Sequence, residues 1–157
     1  MGLYNDKHRL FADYVNEMNA FAKAPKNEVE TRELCEHYIS SSECTWKNIF
    51  SAETGELVGF LILGKTGAEK HPDADRSIAE AYMTPDYRKK GLMKATIVDY
   101  ESRHHCRWSM LVQKDNQDAQ DYFAKLFEEM GYVPCELDAS KVDASGEEMT
   151  LLGFKLK

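Results

Sequence analysis

The chain has 157 residues, of which 43% are hydrophobic, and a formal net charge of −7 at pH 7. This length and apolar content are typical of one globular domain with a filled core. The acidic balance argues against broad nucleic-acid binding. No apolar run approaches the roughly 20 residues of a membrane span, and no secretion signal is recognisable, so we expect no membrane partner and a cytoplasmic location.

Cysteine and histidine spacing gives no support for a metal site. The four cysteines form no CxxC pair and no metal-ligand spacing with histidine, so we expect reduced structural thiols and no bound metal. His104 and His105 follow a predicted helix, where they would complement the negative end of its dipole. We expect His71, in a polar loop, to be solvated.

The first 43 residues have helical periodicity. From Asp6 to about Lys23, apolar residues recur every three or four positions until Pro25 ends the pattern, and this places Tyr14 and Phe21 in the core. Asn27 is a candidate N-cap for a second helix that reaches about Ile39. We therefore predict a single domain over 1–157, with an N-terminal helical pair in 1–43 and a sheet core in 44–157.

After residue 43, the spacing of hydrophobic residues changes to the pattern typical of β-strands. The runs CTWKNIFSA and LVGFLILG flank the polar connection ETGE and predict a hairpin. SIAEAYM and RWSMLVQ predict two further strands, separated by a helix to about Arg103. A strong helical stripe runs from Asn116 to Met130, and YVPCELD and EMTLLGFKL predict the last two strands. This order indicates an α+β fold.

A basic turn, YMTPDYRKKGLM, lies between one of these strands and the next helix. The first amide groups of a helix have no internal acceptor and lie at its positive end, so they can bind an anion. Gly91 lets the backbone approach a ligand closely, and the cations Arg88, Lys89 and Lys90 suit a diphosphate. Neither a P-loop nor a dinucleotide fingerprint is present. A solvated basic turn that merely precedes a helix is the alternative.

The basic turn resembles the acetyl-CoA-binding segment of the GNAT N-acetyltransferase superfamily, which reads V-x-P-x-Y-R and then x-x-G-x-G/A. Met83 stands for the Val, Met93 replaces the last small residue, and the matching residues are Pro85, Tyr87, Arg88 and Gly91. A second stretch, VQKDNQDAQDYFAKLFEEMGYVP, is similar to the family's next strand and helix through Asn116, Ala119 and FEEMGY. The resemblance covers Ser77 to Pro134.

The resemblance implies a single GNAT-like domain with a mixed, mostly antiparallel central sheet and helices on both faces. It implies transfer of an acetyl group from acetyl-CoA to a primary amine of a small molecule or peptide by direct attack, and a homodimer is left open. It also implies that the strand before the turn splays from its neighbour and binds the coenzyme through backbone groups, with the Met83 amide facing the developing oxyanion. The implied coenzyme-binding residues are Ala81, Tyr82, Met83, Arg88, Lys89, Lys90, Gly91, Leu92, Met93 and Asn116.

Glu80 is the candidate general base. It lies three residues before Met83, so strand alternation places it on the opposite face, together with Ile78 and Tyr82. If that face lines the acceptor cleft, Glu80 can remove the ammonium proton directly or through water. The alternative is a cross-strand ion pair.

The family's proton-donating tyrosine has no counterpart in this sequence. Counting from FEEMGY places that position at Phe127, and counting from Asn116 places it at Phe123, which implies one extra helical turn. Tyr122, rotated by about 100° from Phe123, is the candidate general acid, and a core position is its alternative. Because the usual hydroxyl is absent, a catalytically inactive GNAT-fold protein that binds coenzyme A or a protein partner is the alternative function.

Overall fold

The computed structural model describes residues 2–68, 71–101, 107–138 and 149–156. These ranges form four α-helices and six strands. In chain order they are α1 (Gly2–Met18), α2 (Glu28–Ser40), β1 (Cys44–Phe50), β2 (Leu57–Gly64), β3 (Arg76–Met83), α3 (Leu92–Glu101), β4 (Trp108–Gln113), α4 (Gln117–Glu129), β5 (Tyr132–Pro134) and β6 (Met149–Leu156). His104, His105 and Cys106 lie outside the described residues.

The strands form one sheet in the order β1-β2-β3-β4-β6-β5. All neighbours are antiparallel except β3 and β4, which are parallel. The predicted β1–β2 hairpin is confirmed, and Gly55 in its turn has a φ of 74°, which glycine adopts without strain. The predicted α+β class with a mixed, mostly antiparallel sheet is confirmed.

Helices pack on both faces of the sheet, as predicted. On one face, apolar residues of α1 and α2 contact β2 and β3 in a cluster that includes Phe11, Cys35, Phe60 and Tyr82. On the other face, α3 and α4 contact β2, β3, β4 and β6 in a larger cluster that includes Ile97, Trp108, Phe127 and Phe154. The first cluster fixes the N-terminal helices over the sheet, and the second forms the main core.

Polar side chains mark the start of α2 and the end of α1. Asn27 caps α2 as predicted, because its side chain accepts from the Glu30 amide at 2.8 Å while Glu30 accepts from the Asn27 amide. The first helix stops at Met18, earlier than predicted, and continues as one 3₁₀ turn over Asn19–Phe21. There the Asn19 side chain bonds to both backbone groups of Lys26, which competes with further helix.

Two residues have environments that differ from the predicted ones. Phe21, expected in the core, is 38% exposed because it lies in the 3₁₀ turn beyond the helical stripe. His71, expected to be solvated, is 1% exposed. Its Nδ1 accepts from the Asp73 amide at 3.1 Å, and its Nε2 lies 3.0 Å from the Asp138 carbonyl oxygen. This imidazole therefore fixes the loop before β3.

A bulge interrupts β3 beside its neighbour β2. Ile62 pairs with Glu80 and Leu63 pairs with Ile78, so Ala79 is the extra residue. Glu80 therefore shares its face with Tyr82, as predicted, but Ile78 lies on the opposite face in the main core. The expectation that all three share one face was wrong, because it assumed unbroken alternation.

The parallel neighbours β3 and β4 separate almost at once. Their pairing comprises Arg76 with Trp108 and Ser77 with Ser109. Beyond Ser77, the side of β3 that faces β4 has no strand partner among the described residues. The splay implied by the resemblance is therefore present, and it opens a gap in the middle of the sheet.

Candidate active site

A cavity of about 360 Å³ lies where β3 and β4 separate, beneath the N-terminal helices. Its walls come from α1, α2, β3, β4 and α4. Lining residues that matter below are Tyr14, Met18, Lys26, Tyr38, Glu80, Ala81, Gln113, Asn116 and Phe123. The gap in the sheet is thus continuous with a pocket on the face covered by α1 and α2.

Glu80 lies in this cavity and is held by two tyrosines. Its carboxylate accepts hydrogen bonds from the Tyr14 hydroxyl and, at 3.1 Å, from the Tyr38 hydroxyl. Its cross-strand neighbour is the apolar Ile62, so the alternative of a cross-strand ion pair was wrong. The role of Glu80 as general base stays a prediction.

Burial sets the acid–base properties of this group. Desolvation raises the pKa of Glu80, and it outweighs the hydrogen bonds from Tyr14 and Tyr38 and the charge of Lys26, which all lower it. The pKa of Tyr14 is raised well above its ordinary value, first by burial and then by the charge of Glu80. Tyr14 therefore stays a protonated hydrogen-bond donor.

Tyr14 and Tyr38 were not identified as site residues from the sequence. Each lies within the apolar pattern of its helix and packs partly into the cluster between the helices and the sheet. A usable signal was present, because a carboxylate on a mostly apolar strand requires hydrogen-bond donors from elsewhere in the fold. A tyrosine is an apolar residue that can supply one.

The basic turn contains a run of unpaired backbone amides before α3. Lys89 and Gly91 have φ values of 65° and 74°, and a Cβ added at Gly91 would meet nothing within 4 Å. No described residue accepts a hydrogen bond from the amides of 89–93, whereas the Arg88 amide donates to the Pro85 carbonyl. Unpaired amides at a helix start, beside Lys89 and Lys90, fit a diphosphate.

The Arg88 side chain is directed toward the N-terminal helix. Its Nε donates to the Met83 carbonyl at 2.8 Å, and its Nη2 lies 2.8 Å and 3.0 Å from the two carboxylate oxygens of Glu17. The guanidinium also stacks 5.4 Å from the centre of the Tyr82 ring. Its coenzyme-binding role stays a prediction, and Glu17 is a contact that the sequence did not reveal.

The open edge of β3 presents alternate backbone groups to the gap. The Thr84 amide donates to the Val58 carbonyl of β2 at 2.9 Å. Because antiparallel pairs alternate, the amides of Ala81 and Met83 point away from β2, while those of Tyr82 point toward it. Ala81 and Met83 thus offer backbone donors on the side that β4 leaves open.

The side chains of Asn116 and Met93 have structural roles in helix capping and core packing. Asn116 is 6% exposed and caps α4, accepting from the Ala119 amide at 3.2 Å. Met93 is 4% exposed in the main core, so its side chain is unavailable to a ligand. Leu92 is half-buried against the same core. Coenzyme contacts from Leu92 and Met93 would therefore come from their backbone amides.

Helix α4 presents Phe123 to the cavity, and Tyr122 does not line it. Tyr122 is 45% exposed, so the alternative that it is a core residue was wrong. Burial of its ring against neighbours raises the pKa of Tyr122, and the Glu129 charge adds to this. Its role as general acid is untested, and its position outside the cavity does not favour that role.

The described residues contain no helix long and apolar enough to cross a membrane. Within the same ranges, histidine, cysteine, aspartate and glutamate side chains form no group of three that could hold a metal ion.

Comparison with known proteins identifies the family. The sequence pattern of the acetyltransferase (GNAT) family matches residues 11–128. This match begins within α1, ends within α4, and includes the basic turn and Glu80. The chain therefore belongs to the GNAT acetyltransferase family, whose members use acetyl-CoA. No relative was found among curated protein sequences.

Solved structures share the fold at low sequence identity. An acetyltransferase from Thermus thermophilus is 13% identical with a TM-score of 0.61, covering 93% of this chain and 86% of that one. The spermidine N-acetyltransferase from Vibrio cholerae, in complex with CoA and spermine, is 20% identical with a TM-score of 0.58, covering 98% and 89%. The ribosomal-protein-S18-alanine N-acetyltransferase from Escherichia coli is 16% identical with a TM-score of 0.51, covering 94% and 86%.

Proposed function

We propose that this protein is an N-acetyltransferase that transfers the acetyl group of acetyl-CoA to a primary amine of a small molecule or peptide. One observation carries the proposal: the Glu80 carboxylate lies in the same cavity as the open edge of β3. A proton acceptor and free backbone donors are thus combined in one pocket. Those are the groups that attack of an amine on a thioester requires.

Two backbone features support binding of acetyl-CoA. The amides of 89–93 suit the diphosphate, and the outward amides of Ala81 and Met83 suit the pantetheine arm. Bound acetyl-CoA supplies an activated acetyl thioester. The Met83 amide, at the end of the open edge, is the donor we assign to the thioester oxygen.

Glu80 prepares the acceptor. A primary amine is mostly an ammonium ion at neutral pH and must lose a proton before it can attack. The negative carboxylate attracts that ion, and its raised pKa makes it a better proton acceptor than an exposed glutamate. Tyr14 and Tyr38 orient the carboxylate through their hydroxyl groups.

The test is release of free thiol from acetyl-CoA with a panel of polyamines, amino acids, aminoglycosides and peptides, with mass spectrometry of the acetylated product. Glu80→Gln should lower turnover by roughly 10²- to 10⁴-fold with little change in coenzyme affinity. Glu28→Gln, which alters an exposed carboxylate paired with Arg32 on α2, is the matched control. Equal turnover of Glu80→Gln and wild-type protein would refute the assignment of Glu80.

A coenzyme-binding protein without transferase activity is the second candidate. It is favoured by Phe123, which gives the α4 wall of the cavity an apolar ring instead of a hydroxyl. Mass spectrometry of the purified protein would then detect coenzyme A, while no amine of the panel would be acetylated.

A further inference from the structure

Gln113, the last residue of β4, has a buried side-chain oxygen without a partner. Its Nε2 donates to the Met18 carbonyl at the end of α1, at 3.1 Å. A carbonyl oxygen can only accept, so this contact fixes the orientation of the side-chain amide and leaves Oε1 on its other branch. Oε1 is buried, and no described residue donates a hydrogen bond to it.

Gln113 belongs to the same cavity as Glu80. On β4, Met110 and Val112 point into the main core, so alternation places Gln113 on the face covered by α1 and α2. Glu80 projects to that face as well, because it binds Tyr14 and Tyr38. Two side chains that carry acceptor groups therefore line the cavity from its two diverging strands, one charged and one neutral. Because the Gln113 Oε1 has almost no accessible surface, a donor reaches it only when a bound molecule displaces the atoms that cover it.

A buried acceptor without a donor is uncommon in a folded protein and points to a missing partner. The missing donor is an N–H or O–H group. A second ammonium is a poor candidate, because Glu80 is the only acidic side chain among the described residues that line the cavity, and it already interacts with Lys26 and would bind the reacting ammonium. The Lys26 backbone is held by Asn19, which directly follows Met18.

We propose that Gln113 is a specificity-determining residue of the acceptor pocket and accepts a hydrogen bond from an uncharged donor on the acceptor molecule. The inference rests on the proposed function, in which Glu80 receives the reacting amino group. The substrate class is then a primary amine that carries a second, uncharged N–H or O–H group, such as an amino alcohol or an amino amide. A simple alkylamine lacks that group.

The first test uses wild-type protein and two series of probes. Amino alcohols of increasing chain length are compared with alkylamines in which a methyl group replaces the hydroxyl. At the best length, kcat/KM for the amino alcohol should exceed that for the alkylamine by about threefold to tenfold. Equal values at every length would overturn the inference.

The second test uses Gln113→Met, which removes the acceptor and keeps a side chain of similar length. The ratio between the two series should fall to about one. Gln120→Met is the matched control, because Gln120 also donates to backbone carbonyls at this end of β4 but does not line the cavity. A higher KM for acetyl-CoA with an unchanged amine ratio would assign the oxygen to the coenzyme and overturn the inference.

Calorimetry of the same amines with CoA-loaded protein separates the two proposals. Tighter binding of the amino alcohols without any acetylation would support the inference while the proposed function fails. Acetylation with no preference between the series would support the function and overturn the inference. Absence of binding by every amine would also overturn it.

Discussion

Glu17 on α1 binds Arg88 of the basic turn across 71 residues of sequence, with both carboxylate oxygens within 3.0 Å of one guanidinium nitrogen. The two side chains are 39% and 42% exposed, so the pair contributes less than about 1 kcal/mol to stability. Its position is more important, because it engages one of the three cations of the basic turn with a carboxylate of α1.

We expect Glu17→Gln to tighten coenzyme A binding by about twofold to fivefold, because it removes a charge that repels the diphosphate and releases Arg88. The gain should shrink at high salt. Calorimetric titration with coenzyme A at two ionic strengths measures both effects, with Glu28→Gln as control. Weaker binding would show instead that Glu17 holds Arg88 in its binding position.

Glu80→Gln should be more stable than wild-type protein in alkaline buffer. The folded-state pKa of Glu80 is raised, so its stabilising contribution is present below the unfolded pKa and is lost as pH rises through the folded pKa. Glutamine carries no charge to desolvate. The melting temperature of the variant minus that of wild type should therefore rise as the pH increases above 4.5, the ordinary pKa of a glutamate. A difference independent of pH would contradict the raised pKa.

Tyr38→Phe should move the acidic limb of the kcat/KM profile to higher pH. The Tyr38 hydroxyl lowers the pKa of Glu80, so its removal raises that pKa further and keeps the carboxyl protonated to a higher pH. Tyr122→Phe removes a hydroxyl outside the cavity and should leave the limb in place. An unmoved limb in Tyr38→Phe would mean that another group controls the profile.

Gly91→Ala should weaken coenzyme A binding by about tenfold, because its Cβ would occupy the open space beside the unpaired amides. Gly55→Ala is a close control. Both glycines have a φ of 74° and open space where a Cβ would lie, so both variants carry the same backbone strain of about 1 kcal/mol. Equal melting temperatures with unequal affinities, measured by calorimetry, would locate the diphosphate at Gly91. Equal affinities of the two variants for coenzyme A would exclude a diphosphate site at Gly91.

We expect different effects on turnover from substitutions at Tyr122 and Phe123, two neighbouring aromatic residues of α4. Tyr122→Phe should keep near-normal turnover, because Tyr122 is 45% exposed and does not line the cavity. Phe123→Tyr should raise turnover by about tenfold if a hydroxyl there can protonate the leaving thiolate. Steady-state rates and thermal melts of both variants measure this. A tenfold loss in Tyr122→Phe would establish Tyr122 as the proton donor.

Much of the fold could be predicted from local patterns. The Asn27 cap, the β1–β2 hairpin and the α4 stripe each depend on neighbouring residues, and the structure confirms them. The candidate site was harder to predict, because Glu80 meets Tyr14 and Tyr38 only through packing of the first two helices on the sheet. The environment of His71 likewise depends on Asp138, which is 67 residues away in the sequence.

The extra residue in β3 accounts for the gap between β3 and β4. Without Ala79, β3 could run straight beside β4 and pair with it along its whole length. The sheet would then be continuous and more rigid, with no gap between these strands. A bulge bends its strand and increases its twist, and the β3–β4 pairing ends two residues before it. Deleting Ala79 keeps the register of β3 against β2 on both sides, so the expected product is a well-folded protein whose binding pocket has been closed by its own backbone.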